Sequence, residues 1–131
     1  VGGERALTQC KVTGNSMGPL VQPVAMAAWM VGGSALNGYT PGVTGGMGPN
    51  NVGLLVRLAG RITAVTADGF HLDDGSSLSD DSGYAGLRIW TGSPPSVVVD
   101  TWVCVTGAVS CRTGAGGVIY PQILARDIRV L

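Results

Sequence analysis

The sequence predicts an all-β domain of five short strands around one core, and three observations carry that reading. From Gly53 onward, apolar and polar residues alternate with a period of two, the pattern of strands that bury one face. Glycine fills 22 of 131 positions without a Gly-X-Y repeat, which excludes collagen and favours turn-rich β structure. Turn chemistry, as in Asp68-Gly69 and Gly92-Ser93-Pro94-Pro95, separates the apolar runs.

The first strand covers residues 54–65. There Leu54, Val56, Leu58 and Ile62 share one parity while Arg57, Arg61 and Thr63 share the other, and Gly60 sits where a long half-buried strand can bend sharply. Asp68-Gly69 predicts a tight turn into a second strand, Phe70-His71-Leu72, with Phe70 and Leu72 inward and His71 on the opposite, exposed face. Asp73-Asp74-Gly75-Ser76 ends it. A polar loop leads to a third strand, Gly86-Leu87-Arg88-Ile89-Trp90, with Leu87 and Ile89 inward. Residues 102–109 make the fourth. The fifth lies within residues 118–131, where Ile119, Ile123, Leu124, Ile128 and Val130 are interrupted by Pro121.

Charge divides the chain upstream of these strands. From Val12 to Val56 there is no Asp, Glu, Lys, Arg or His, a stretch of 45 residues with all four methionines and many glycines. Residues 1–52 therefore read as an extended, uncharged, Gly-rich N-terminal segment, and residues 53–131 as the β-barrel. A glycine-rich ribbon loses much backbone entropy when it is ordered, so protein must lie against it, from its own domain or from a neighbouring subunit. Leu20-Val21-Gln22-Pro23-Val24-Ala25-Met26 suits an extended edge segment because its prolines forbid a regular helix. Residues 34–52 are rich in turn chemistry and read as a looped excursion packed on the following domain.

Composition removes several function classes. Eight basic against eight acidic side chains give no net charge, which disfavours nucleic-acid binding by bulk electrostatics. With 45% hydrophobic and 12% charged residues the chain is neither disordered in composition nor surfaced like a freely soluble monomer. Its longest apolar run, residues 24–31, is too short to span a bilayer. There is no Gly-x-Ser-x-Gly elbow, Walker or dinucleotide motif, and His71 is the sole histidine, so a catalytic triad would have to use it. The reading is a non-enzyme without a cofactor. A chain that opens at Val1 without a leader reads as processed after export, hence secreted or at the cell surface.

Two clusters invite chemistry of their own. Cys10, Cys104 and Cys111 permit at most one internal disulfide, and Cys10 with Cys111 is the candidate pair, within or between subunits, because both flank predicted strand ends. Without a Cys-x-x-Cys pair and with one histidine, a structural zinc site is disfavoured. Asp73, Asp74, Asp80 and Asp81 share one loop and could supply hard oxygen ligands to Ca²⁺, but the EF-hand order is absent and a solvated turn is the plainer reading.

The glycine-bent first strand, the Gly69-Phe70-His71-Leu72-Asp73-Asp74-Gly75-Ser76 hairpin, Gly86-Leu87-Arg88-Ile89, Val103-Cys104-Val105-Thr106-Gly107 and the terminal Ile/Val strand together resemble an oligonucleotide/oligosaccharide-binding (OB) fold, a five-stranded Greek-key barrel. Gly32-Gly33-Ser34-Ala35-Leu36-Asn37-Gly38 and Asn50-Asn51-Val52-Gly53-Leu54-Leu55-Val56-Arg57 resemble the entry into OB-like repeats of large secreted or surface-attached bacterial proteins. That resemblance implies a secreted barrel module and brings no catalytic residues with it. The expected function is an extracellular structural subunit that assembles with copies of itself into a fibre or homopolymer. Its N-terminal segment, through Leu7, Val12, Leu20, Val21, Val24, Met26 and Trp29, would dock on a neighbouring barrel. The alternative is an OB-type binding module for single-stranded nucleic acid or oligosaccharide, using Arg57, Arg61, His71, Arg88 and Trp90 as a basic and aromatic face.

Overall fold

The computed structural model describes residues 8–14, 16 and 18–131. Five strands close a barrel: β2 (Leu55–Thr66), β3 (Gly69–Asp73), β4 (Leu87–Trp90), β5 (Trp102–Thr113) and β6 (Ile119–Val130). They are joined in the order β2-β3-β4-β6-β5, with β5 returning to β2. All neighbours are antiparallel except β4 and β6, which run parallel from Arg88 opposite Gln122 to Trp90 opposite Leu124. This is the OB-like barrel that the strand pattern predicts. A two-residue strand, β1 (Val24–Ala25), adds to β2 in parallel, with Val24 opposite Val56 and Ala25 opposite Arg57.

Closure depends on the bend in β2. Residues 55–61 pair with β5 and residues 61–66 with β3, so one strand serves both sides of the barrel and changes partner beside Gly60. A Cβ on Gly60 would stand 2.5 Å from the Asp73 carbonyl oxygen, so only glycine lets β3 cross there. The predicted alternation is observed within β2, where Val56, Leu58 and Ile62 are buried while Arg57 and Arg61 are exposed; Leu54, expected to share the inward face, precedes the strand and is exposed. Phe70, Leu72, Leu87, Ile89, Val103, Val105 and Ile123 complete the barrel core.

The Asp68-Gly69 expectation is off by one position. The turn residues are Ala67 and Asp68, and Gly69 already pairs with Thr66 and Trp90 inside β3, its bare Cα lying against the Ile89 carbonyl. Strand β5 runs on to Thr113, beyond the expected 102–109, while β6 falls within the expected 118–131. Pro121 sits within β6 opposite Cys111, just before the pairing with β4 begins at Gln122, where its missing N–H is tolerated.

The neutral N-terminal ribbon divides near residue 26. Downstream, the chain's own barrel covers part of it, while Leu36, Tyr39 and Met47 stay exposed. Ala28 and Val31 belong to the core, Met26 packs against them, and the Ala28 N–H is held by Asp74 Oδ2 at 2.7 Å. The loop at residues 34–53 is tied down by Thr44 N–H to Ile119 O at 2.8 Å and Gly53 N–H to Val109 O at 2.8 Å. Gly33 explains the glycine content locally: it has a φ of 65° and its Cα packs against the Pro49 carbonyl, where a side chain would collide. Upstream, every described residue from Thr8 to Gln22 is exposed.

Candidate functional site

The polar residues of the barrel gather on the outer side of β3. Phe70 and Leu72 fill the core, and alternation turns His71 the other way, yet His71 is 0% exposed. The loop between β3 and β4 folds back over it. His71 Nε2 lies 3.3 Å from Asp80 Oδ2 and 3.3 Å from Ser82 Oγ, and the ring stacks at a tilt on Tyr84 with centroids 5.3 Å apart. Arg112, from β5, donates to Asp80 Oδ2 at 2.7 Å and also to Asp81, and its guanidinium lies over the Tyr120 ring. The predicted exposed histidine is thus corrected: its outward face is roofed by protein, because a loop carrying two carboxylates is drawn down by an arginine on a neighbouring strand.

Electrostatics favour the charged forms of Asp80, Asp81 and Arg112. Burial alone would raise the Asp80 carboxyl, whose side chain is 6% exposed, but the hydrogen bonds from Ser82, Arg112 and His71 outweigh it and hold the group well below the usual carboxylate range. Asp81 is lowered chiefly by its hydrogen bond from Arg112. The same pairing pushes the arginine up, against the effect of burial.

The geometry does not form a Ser-His-Asp relay. Such a relay needs the carboxylate on one ring nitrogen and the hydroxyl on the other. Here both Asp80 and Ser82 approach Nε2, Ser82 Oγ donates to Asp80 itself, and Nδ1 has no hydrogen-bond partner among the described residues.

The four loop aspartates are not brought together for calcium either. Asp73 caps its own turn at Gly75 N–H, Asp74 holds Ala28, and Asp80 and Asp81 are both paired with Arg112. Among the described residues no group of three or more His, Cys, Asp or Glu side chains is placed to hold a metal ion. Asp74 is itself held below the usual range, its hydrogen bonds from Ala28 and Ser76 overcoming the opposing effect of burial.

Of the residues expected to form a basic and aromatic face, the three arginines each have a local partner. Arg88 donates to Asp68 Oδ2 at 2.7 Å, Arg61 to Asp100 at 3.2 Å, and Arg57 to the Thr106 hydroxyl at 3.1 Å. Trp90 is partly exposed at the end of β4, while His71 is enclosed. Compared with protein-family models, with curated proteins and with solved structures, the chain gives no match.

The assembly residues are dispersed by the division at residue 26. Leu7 lies outside the described residues. Val12, Leu20 and Val21 are 82%, 83% and 76% exposed, and Val24 and Trp29 are about half exposed. Met26 is partly buried against its own core and also lines the outward-facing surface beside Cys104. Cys10 carries a free thiol on the exposed arm and Cys111 is buried in β5, so the Cys10–Cys111 bond is not formed within the chain.

Two features escaped the sequence reading. Arg112 is the one charged residue in β5, and an isolated cation in an apolar strand signals a carboxylate partner elsewhere. Cys104 lines an outward-facing apolar groove of about 510 Å³ with Ala25, Met26, Met30, Leu58 and Ala59. Its parity opposite the buried Val103 and Val105 was the available sign.

Proposed function

We propose that this protein is a non-enzymatic, extracellular structural subunit that assembles with copies of itself, its N-terminal arm docking on the OB-like barrel of the next copy. The observation that carries this reading is the arm itself. Its described residues from Thr8 to Gln22 are all exposed, and Val12, Leu20 and Val21 leave more than three quarters of their surface uncovered. Exposed single apolar residues are ordinary, but a segment uncharged from Val12 onward with several of them, leading away from a closed barrel, is what an arm awaiting a partner looks like. Donor arm and acceptor barrel are different surfaces, so the contact is heterologous and can repeat into a linear polymer. The extracellular placement and the kinship with repeats of secreted bacterial proteins belong to the same proposal and rest on the sequence resemblance.

Light scattering in line with size exclusion, over a hundredfold range of concentration, tests it. The full chain is expected to grow in mass with concentration and a chain beginning at Pro23 to stay monomeric. A full-length monomer throughout refutes the proposal.

A further inference from the structure

The geometry points to a covalent lock on that assembly: the apolar groove beside β1 and the β2–β5 pair of one copy receives the arm of a second copy, and Cys10 of the arm then forms an intermolecular disulfide with Cys104 of the groove. The inference rests on the assembly reading and names its acceptor surface.

Four observations lead to it. Cys10 is exposed on the arm and carries a free thiol. Cys104 is a free thiol as well, turned outward on β5 between Ala59 of β2 and Arg129 of β6, and it forms part of the groove wall. The third cysteine is removed from competition by burial in β5. Finally, the same copy's arm does not occupy the groove, because its described residues are exposed throughout.

The occupant fits the site in apolar character and in reach. The arm bears no charge from Val12 onward, Lys11 beside Cys10 being its one charged described residue, and the groove lining is apolar apart from Arg57, which donates to the Thr106 hydroxyl. About 13 residues separate Cys10 from Pro23, which at about 3.3 Å per extended residue span about 43 Å. A barrel of roughly 80 residues has a radius of gyration of about 12 Å and so a diameter of about 30 Å. An extended arm therefore crosses one barrel and reaches the groove of the next. Each copy offers one Cys10 and one Cys104 to different neighbours, so the linkage propagates as a ladder rather than stopping at a dimer.

The bond needs a two-electron oxidant, here a small-molecule disulfide such as oxidised glutathione. Both S–H bonds break, the Cys10 Sγ–Cys104 Sγ bond forms, and the oxidant's disulfide is reduced to two thiols that take up the protons.

The test is oxidation of the full chain with oxidised glutathione, read on non-reducing gels and by peptide mass spectrometry. A ladder of dimers, trimers and higher species is expected, with the Cys10 and Cys104 peptides linked between isotopically labelled and unlabelled copies. Cys10→Ser and Cys104→Ser each abolish the ladder. An equimolar mixture of the two variants gives a dimer only, since one variant supplies the sole arm thiol and the other the sole groove thiol. Cys10–Cys10 dimers, a Cys10–Cys104 bond within one chain, or no linkage overturns the inference. Mass in excess reductant separates this from the assembly reading. An oligomer that persists when reduced and is lost in the chain beginning at Pro23, yet gives no ladder, leaves assembly standing and removes the lock.

Discussion

Replacing Asp80 by alanine tests whether the roof over His71 is structural. The substitution removes the acceptor shared by His71, Ser82 and Arg112, and leaves a fully buried imidazole and a largely buried guanidinium with fewer partners. A hydrogen bond to a charged group contributes about 1.5–3 kcal/mol, and breaking a buried ion pair on one side costs about 3–5 kcal/mol. Arg112 keeps Asp81 as a partner, so the lower part of that range applies, about 3 kcal/mol. With an unfolding entropy of about 2.1 cal/mol/K per residue over roughly 110 packed residues, the expected fall in Tm is about 13 °C. Thermal unfolding followed by circular dichroism measures it. The Arg112→Ala variant and the double variant complete a cycle, and the double should cost clearly less than the sum of the singles. A Tm within about 2 °C of the parent protein would show that the cluster carries no stability and refute the reasoning.

The acid dependence of the same cluster follows from the lowered Asp80 group. Its folded-state pKa lies below the ordinary value of 3.8, so its stabilisation is complete above about pH 5 and is lost as pH falls through about 4 toward the lowered value; urea titrations should show the gap between the parent and Asp80→Asn closing on acidification. Gly60→Ala places a methyl group 2.5 Å from the Asp73 carbonyl oxygen and should destabilise by about 1–3 kcal/mol, read as a lower urea midpoint at unchanged slope. Val31→Ala, deep in the core, should cost about 2 kcal/mol, whereas the same loss at Val21 should leave barrel stability within about 0.5 kcal/mol. Val21→Asp should keep that stability and weaken self-association in sedimentation, the opposite pattern to Val31→Ala.

What the sequence made legible was the barrel wall. Alternation from Leu55 to Arg61 and from Leu87 to Ile89 fixes which side chains point inward, and Gly60 marks the bend, because these are properties of neighbours along one strand. The cluster around His71 was not legible. Alternation states that His71 turns away from the core but says nothing of what returns to cover it, and Arg112 lies 32 positions from Asp80. Ala28 and Val31 were equally hidden: they enter the core through a short 3₁₀ turn, Ala28–Met30, with no periodic pattern to announce it. The groove at Cys104 was hidden as well, since it exists only once β1 lies beside β2.

The seating of β1 has a mechanical consequence. Tension on the arm reaches the barrel at Val24 and Ala25, runs into Arg57 through the Met26 N–H, and is shared a few residues later by the Ala28 clasp on Asp74 and the embedded Val31. The load therefore enters near the N-terminal end of β2, where several contacts resist at once. A thread of such units would yield first in the glycine-rich spacers and last in the barrels.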